Sequence, residues 1–142
     1  MSEGKITTRV SLRWRDIDVL GHLNQSVYHE FLEEGRTALI ERIAEDAPVG
    51  EKGAWVLARV ELDHRSEVRR EDGEVDIVVW IDRVGTKSLT MANEVRKLDG
   101  TVCASGKTVV LGWDAEARKA RELSQAEKAW LEASAPGGDV AP

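Results

Sequence analysis

The sequence predicts an α+β domain in which one long helix lies across a five-stranded antiparallel sheet. Two observations carry this prediction: an apolar stripe of helical period near the N-terminus, and a series of alternating runs joined by glycine-containing links after it. The chain has 142 residues, which fits one domain. We expect the domain to span residues 1–135 and to be followed by a small, polar and flexible tail over residues 136–142.

The first predicted element is a strand over residues 6–14. Its apolar side chains fall on even positions, which places them on one face of a strand: Ile6, Val10, Leu12 and Trp14. Residues 16–26 are rich in Asp, Gly, Asn and Ser, which are typical of a turn. Asn24 or Ser26 is therefore the predicted N-cap of the helix that follows.

A long helix is predicted from this cap to about Glu45. Its apolar stripe recurs at steps of three and four residues and consists of Val27, Tyr28, Phe31, Leu32, Gly35, Ala38, Leu39 and Ile43. Gly35 costs on the order of 1 kcal/mol in helix propensity relative to Ala, so we expect it to permit the close approach of a strand. Pro48, Gly50 and Gly53 are expected to end the helix and form a loop.

Four more strands are predicted, over residues 55–62, 74–84, 88–98 and 101–113. Glycine-containing links, two of them Asp-Gly, separate the later runs, which indicates hairpins and a mainly antiparallel sheet. The stretch from Ser124 to Glu127 has the pattern of a capping box and predicts a short final helix.

Composition argues against several classes of protein. The net charge of −6 opposes binding to a phosphate backbone, so we expect no nucleic acid partner. The longest apolar runs, such as residues 77–81, are too short for a membrane span, and the N-terminus lacks the features of a secretory signal. Cys103 is the only cysteine and cannot form an intrachain disulfide, which favours a cytoplasmic location.

The stretch from Trp14 to Arg36 contains most of the candidate chemistry. Its residues 15–28, RDIDVLGHLNQSVY, followed by Glu33 and Arg36, resemble the N-terminal signature of hotdog-fold acyl-CoA thioesterases of the 4-hydroxybenzoyl-CoA thioesterase superfamily. The resemblance continues at residues 59–63, 84–88 and 99–100. It implies a single hotdog domain, with the long central helix wrapped by the sheet, and hydrolysis of an acyl-CoA thioester to a free acid and CoA.

By this resemblance the catalytic carboxylate is Asp18. Thioester cleavage requires attack by a carboxylate, or by a water from which a carboxylate removes a proton. The oxyanion requires donors, which free N–H groups at a helix start supply, and the backbone N–H of Gln25 is the best candidate, with Asn24 next. His22 is expected either to orient a water or bind Asp18, or to donate structurally to a backbone carbonyl.

The resemblance also suggests residues that hold the substrate. Asn24 and Tyr28 are candidates for binding the thioester or pantetheine, with a helix cap and a core residue as the alternatives. Lys87 and Ser88 resemble the position at which relatives contact CoA, and Arg65 is a candidate for the CoA phosphates. The alternative for these three residues is that they are solvent-exposed polar side chains of turns, with no role in binding.

Other polar residues of these segments are expected to have structural roles. Asp16 is expected to stabilise the turn or pair with an Arg, and Glu33 and Arg36 to form an ion pair within the helix. Glu61 is considered as a second carboxylate in the cavity, since strand alternation alone does not fix its side. No pattern of metal ligands occurs, and we expect neither a metal nor a cofactor.

Hotdog relatives usually place each active site at a dimer interface, so the resemblance implies a homodimer joined edge to edge, with a homotetramer left open. Two alternatives to the hydrolase remain. One is a hotdog module that binds acyl-CoA without cleaving it, and the other is an enoyl-CoA hydratase or dehydratase.

Overall fold

The structure, a computed structural model, describes residues 4–46 and 54–136. Its strands in these ranges are β1 (Lys5–Ser11), β2 (Ala54–His64), β3 (Glu74–Val84), β4 (Ser88–Lys97), β5 (Val102–Asp114) and β6 (Lys119–Ala120), and its helices are α1 (Gln25–Asp46) and α2 (Gln125–Ser134). The predicted α+β fold is confirmed, because one long helix packs against an antiparallel sheet as in a hotdog domain. The predicted loop at Pro48, Gly50 and Gly53, and the tail over 137–142, lie outside the described residues.

The strands follow the spatial order β1-β3-β4-β5-β2, and every neighbouring pair is antiparallel. The short strand β6, which the sequence analysis does not predict, pairs with the end of β5. β2 is therefore an edge strand, with β5 as its single neighbour in the described part of the chain. In their register Val60 lies opposite Thr108, and His64 lies opposite Ala104, so each pair shares one face of the sheet.

α1 packs on the concave face of the sheet through fully buried side chains such as Leu32 and Ile43. Burial of one such side chain contributes about 1.5–3 kcal/mol. At Gly35 a Cβ atom would overlap the side chain of Ile77 on β3. The prediction that Gly35 permits close approach of a strand is confirmed.

The helix covers the sheet unevenly. α1 packs mainly against β1, β3 and β4, where Ile77 is fully buried. On β2 the same face remains partly open, since Leu57 is 56% exposed and Val60 and Leu62 are half-buried. We call the surface formed by Leu57, Val60 and Leu62 the β2 strip.

Two local predictions have different outcomes. The assignment of Trp14 to the first strand is wrong, because β1 ends at Ser11 and Trp14 begins a 3-10 turn with 76% of its surface exposed. The capping box before α2 is confirmed. Ser124 Oγ accepts a hydrogen bond from the Glu127 N–H at 3.0 Å, and Glu127 Oε1 accepts one from the Ser124 N–H at 3.3 Å.

Candidate active site

The turn between β1 and α1 is held by Asp16. Its buried carboxylate accepts hydrogen bonds from the backbone N–H and the Nη2 of Arg13, both at 2.8 Å. Burial alone would raise the pKa of Asp16, but the hydrogen bonds and charge of Arg13 outweigh it and hold the pKa below the ordinary value. The prediction that Asp16 stabilises the turn and pairs with an Arg is confirmed.

Asp18 lies two residues further along the turn and is only partly buried. Its Oδ1 accepts hydrogen bonds from the N–H groups of Leu20, at 2.9 Å, and His22, at 3.2 Å. Its Oδ2 accepts no hydrogen bond from any described residue. The backbone N–H of Asp18 donates to the His22 carbonyl at 2.8 Å, so a well-held backbone presents one unused carboxylate oxygen.

α1 begins directly after this turn, and Asn24 is its N-cap. The Oδ1 of Asn24 accepts hydrogen bonds from the N–H of Ser26 at 3.0 Å and from its hydroxyl at 3.1 Å. The N–H of Asn24 donates to the Asp16 carbonyl at 2.8 Å, whereas the N–H of Gln25 has no partner among the described residues. Since a helix start carries partial positive charge, the Gln25 N–H is an available donor for an anion.

Asp18 and Gln25 line one pocket of about 370 Å³, within the usual size range of small-molecule sites. One wall comes from the turn and the start of α1, and the other from the end of β2 and the segment after it; together the lining residues are Asp18, His22, Leu23, Gln25, Tyr28, His64, Arg65, Ser66 and Glu67. The walls meet where the rings of Tyr28 and His64 lie edge to face, with centroids 4.7 Å apart.

The imidazole of His22 is directed across the pocket. Its Nε2 lies 2.5 Å from Oε1 of Glu67, and both side chains are accessible to solvent. His22 contacts Asp18 through its backbone N–H and carbonyl and not through its ring. The carboxylate of Glu67 therefore fixes the orientation of the His22 ring at the pocket.

Two further predicted binding residues border the pocket. Burial, assisted by Cys103, raises the pKa of Tyr28 to about 12, so the phenol remains protonated at neutral pH and can donate a hydrogen bond. Arg65 is exposed at the pocket edge, where its Nε donates to Ser105 Oγ at 2.7 Å. This contact holds a cation where an anionic group can approach it.

One chain does not bring Lys87 and Ser88 into this pocket. Ser88 lies opposite Leu111 on β5, whereas His64 lies opposite Ala104, seven residues earlier. Seven residues of strand span about 23 Å. Lys87 and Ser88 therefore lie at the other end of the sheet.

Among the pocket residues that the sequence pattern does not predict are His64 and Glu67. His64 follows the alternation of Val60 and Leu62, which is a signal that it faces the concave side. Glu67 lies in an irregular segment, where no spacing predicts its position. Glu61, considered as a second cavity carboxylate, instead lies on the opposite face and pairs with Arg59 at 3.2 Å.

Residues 4–46 and 54–136 contain no cluster of metal-ligating side chains and no membrane-spanning helix. No group of three or more His, Cys, Asp or Glu side chains in these ranges could hold a metal ion. No helix within them is long and apolar enough to cross a membrane.

The chain matches the model of the Thioesterase-like superfamily over residues 12–131. A predicted thioesterase from Bacillus stearothermophilus superposes with a TM-score of 0.80 at 23% identity, over 92% of this chain and 96% of that chain. A thioesterase from Thermus thermophilus, solved in complex with coenzyme A and Zn, superposes with a TM-score of 0.72 at 27% identity, over 88% of this chain and 95% of that chain.

The chain is also similar in sequence to the protein YsmA of Bacillus subtilis. It is 27% identical over 123 residues, which cover 87% of this chain and 82% of YsmA. The solved relatives show the fold, and the family match includes the turn, α1 and the strands from β2 to β6. The chain therefore belongs to the thioesterase-like superfamily and is a thioester hydrolase with a hotdog fold.

Proposed function

We propose that this protein hydrolyses acyl-CoA thioesters to a free acid and CoA, with Asp18 as the catalytic carboxylate. One observation carries the proposal: Asp18 and Gln25 line the same pocket, and no described residue bonds to Oδ2 of Asp18 or to the N–H of Gln25. A carboxylate that can attack or activate water, close to a donor for an anion, is the combination that thioester hydrolysis requires.

Two routes use this arrangement. In the first, Asp18 Oδ2 attacks the thioester carbonyl, the C–S bond breaks, CoA leaves as a thiolate that takes up a proton, and water hydrolyses the resulting anhydride. In the second, Oδ2 removes a proton from a water that attacks the carbonyl, and the proton passes to the leaving sulfur. Both routes place negative charge on the carbonyl oxygen.

The start of α1 is positioned to stabilise that charge. The Gln25 N–H is the proposed donor, since the N–H of Asn24 is already bonded to Asp16. Removal of one such donor typically lowers the rate about 100- to 1000-fold. His22 and Tyr28 line the same pocket and are the proposed side chains that orient water and the thioester.

A second copy of the chain is the proposed source of Lys87 and Ser88. Along its 11 residues β2 has one edge that no described strand pairs with, and two such edges can join antiparallel about a two-fold axis. That pairing places the Ala54 end of one strand beside the His64 end of the other. Since Ala54 lies opposite Trp113 and Ser88 opposite Leu111, the second copy brings its Lys87 and Ser88 towards the pocket.

Coenzyme A is the proposed carrier of the acyl group. The relative from Thermus thermophilus was solved with coenzyme A, and Arg65 at the pocket edge suits a phosphate. Cys103 is fully buried, which together with the absence of other cysteines suits a protein of the cytoplasm.

Thiol release from short, medium, long and aromatic acyl-CoAs tests the proposal. Wild type should release CoA from at least one class, and Asp18→Asn should not. A rise in melting temperature with acyl-CoA but no thiol release would favour a binding module, and a change in enoyl-CoA absorbance would favour a hydratase. Equal rates for wild type and Asp18→Asn on every substrate would disprove the role of Asp18.

Leu57→Glu tests the dimer, because it places a charge on the open face of β2. We expect a monomer by light scattering and loss of thiol release together. Leu98→Glu is the matched control, since Leu98 is 49% exposed in the link between β4 and β5 and should leave both properties unchanged. A fully active monomer would show that one chain contains the complete site.

A further inference from the structure

A buried polar cluster lies between α1 and the sheet, away from the pocket that contains Asp18. Arg36 is 8% exposed, and its Nη1 donates to Thr108 Oγ1 on β5 at 3.5 Å. Asn93 on β4 donates from Nδ2 to the same hydroxyl at 3.3 Å, and its Oδ1 is buried without a hydrogen-bond partner. The cluster is therefore incompletely satisfied at Asn93.

The guanidinium of Arg36 forms no ion pair with any described residue. The ion pair predicted between Glu33 and Arg36 is wrong: Arg36 turns inwards to Thr108 while Glu33 stays exposed, and no carboxylate of a described residue lies within 4.0 Å of its guanidinium. Burial lowers the pKa of Arg36, against the charge of Glu33, but a guanidinium remains protonated at neutral pH.

The other buried charged side chains among the described residues form ion pairs. Asp16 pairs with Arg13 at 2.8 Å, and Glu127 pairs with Arg121 at 2.9 Å. An unpaired buried charge is costly because it has lost water without gaining a partner. Arg36 is thus the one buried charge in the described residues that lacks a counter-ion within 4.0 Å, so its charge is available to a ligand.

The open face of β2 leads from the pocket to Arg36. Thr108 lies opposite Val60 in the β2 strip, four residues from the pair of His64 and Ala104 at the pocket, or about 13 Å. On the helix, Arg36 lies three turns beyond Gln25 on the same face, about 16 Å along the axis, and an Arg side chain leans back towards the N-terminus. An acyl chain whose thioester is at Asp18 can therefore lie along the β2 strip and end at Arg36.

We propose that Arg36 binds a carboxylate at the far end of the acyl group, so that the preferred substrates are CoA thioesters of dicarboxylic acids. The apolar side chains of the β2 strip, Leu57, Val60 and Leu62, contact the methylene groups between the two ends. The terminal carboxylate accepts hydrogen bonds from Arg36 Nε and Nη2, which have no partner among the described residues. This inference rests on the proposed acyl-CoA hydrolysis.

Thiol release from matched substrates tests the inference. Each pair consists of two straight-chain acyl-CoAs of equal length, one ending in a methyl group and the other in a carboxylate. For at least one length, wild type should have a kcat/KM about 10- to 100-fold higher for the carboxylate form, the usual range for one charge-assisted contact. In Arg36→Met this ratio should fall below one, and in Arg36→Lys it should be intermediate.

Two controls separate recognition from a structural role. Arg42→Met changes an exposed Arg on the same helix and should leave the ratio unchanged. Arg36→Met should melt at an equal or higher temperature than wild type, because it removes an unpaired buried charge. A folded Arg36→Met variant with the wild-type ratio would overturn the inference, as would a wild type that prefers the methyl form at every length.

Binding to an inactive variant keeps the two proposals distinguishable. Asp18→Asn should bind the carboxylate form more tightly than the methyl form by calorimetry, and Asp18→Asn combined with Arg36→Met should not. This result would support recognition by Arg36 even if wild type released no thiol, which would disprove the hydrolysis. Equal binding of both forms to Asp18→Asn would overturn the inference while thiol release by wild type left the hydrolysis intact.

Discussion

Asp16 and Asp18 lie two residues apart in one turn and carry the same side chain, but their surroundings differ. Asp16 is buried, and both of its oxygens are bonded to Arg13. Asp18 is partly exposed, and only its Oδ1 is bonded, to N–H groups of its own turn. A carboxylate with all its oxygens bonded serves the fold, whereas one with a free oxygen in a pocket is available for chemistry.

The difference follows from the path of the backbone. The bridge between Ile17 and Leu23 closes the turn, so that the chain returns to pair with itself. Asp16 comes just before this bridge in the chain, and its carbonyl accepts a hydrogen bond from the N–H of Asn24. Asp18 lies inside the loop and faces the segment after β2. The same turn therefore produces one structural and one accessible carboxylate.

Among the substitutions that test this comparison, Asp18→Asn has the largest expected effect, which is on thiol release. Thiol release should fall about 100- to 10,000-fold, the range typical of a lost acid–base or nucleophilic group. The free energy of unfolding should remain within about 0.5 kcal/mol of wild type, because an amide oxygen can still accept from Leu20 and His22. Urea unfolding and a thiol-release assay measure the two quantities, and a variant that is unstable but fully active would reverse the assignment.

Asp16→Asn should give the opposite pattern. It leaves Arg13 without its carboxylate and a buried site without its charge, so we expect a loss of about 2–4 kcal/mol in the free energy of unfolding. Activity measured well below the melting temperature should fall less than in Asp18→Asn. Urea unfolding of both variants side by side provides the comparison, and a wild-type stability for Asp16→Asn would show that the buried pair contributes nothing.

The pH dependence of stability tests the structural role of Asp16. The pKa of Asp16 is lower in the folded chain than the ordinary 3.8, so the unfolded chain binds its proton first as pH falls. The stabilisation that the Asp16 carboxylate contributes is complete at neutral pH, and it is lost as pH drops below 3.8. The difference in unfolding free energy between wild type and Asp16→Asn should therefore shrink on acidification from pH about 5 to pH about 3, as measured in urea.

Much of the fold is predictable because its causes are local in sequence. The stripe from Val27 to Ile43, the glycine-containing links and the capping box at Ser124 each fix one element, and Gly35 even indicates the close packing on Ile77. Trp14 shows where this reasoning fails. An even position continues the strand pattern, but the contacts of Asp16 with Arg13 end the strand earlier.

The candidate site is only half predictable for the same reason. Asp18, His22 and Gln25 are neighbours in sequence, so one segment reveals them together. His64 ends β2 and Glu67 follows it, and backbone pairing of this segment with His22 and Leu23 brings it to the turn. The prediction for Arg36 is wrong because spacing along a helix suggests Glu33 as its partner, whereas the face that packs on the sheet decides its direction.

Asn24 lies between the structural and the accessible carboxylate of the turn and the start of α1. Its substitution has the smallest expected effect. Its side chain caps α1, so Asn24→Ala should cost about 1 kcal/mol of stability in urea unfolding. Asn24→Ser restores a capping oxygen but shortens the side chain. If Asn24 acts only as the cap, Asn24→Ser should keep both the stability and the kcat/KM of wild type, because the Gln25 N–H stays in place. A loss of kcat/KM in Asn24→Ser at unchanged stability would instead show that the amide contacts the substrate, and would extend the accessible side of the turn from Asp18 to the helix cap.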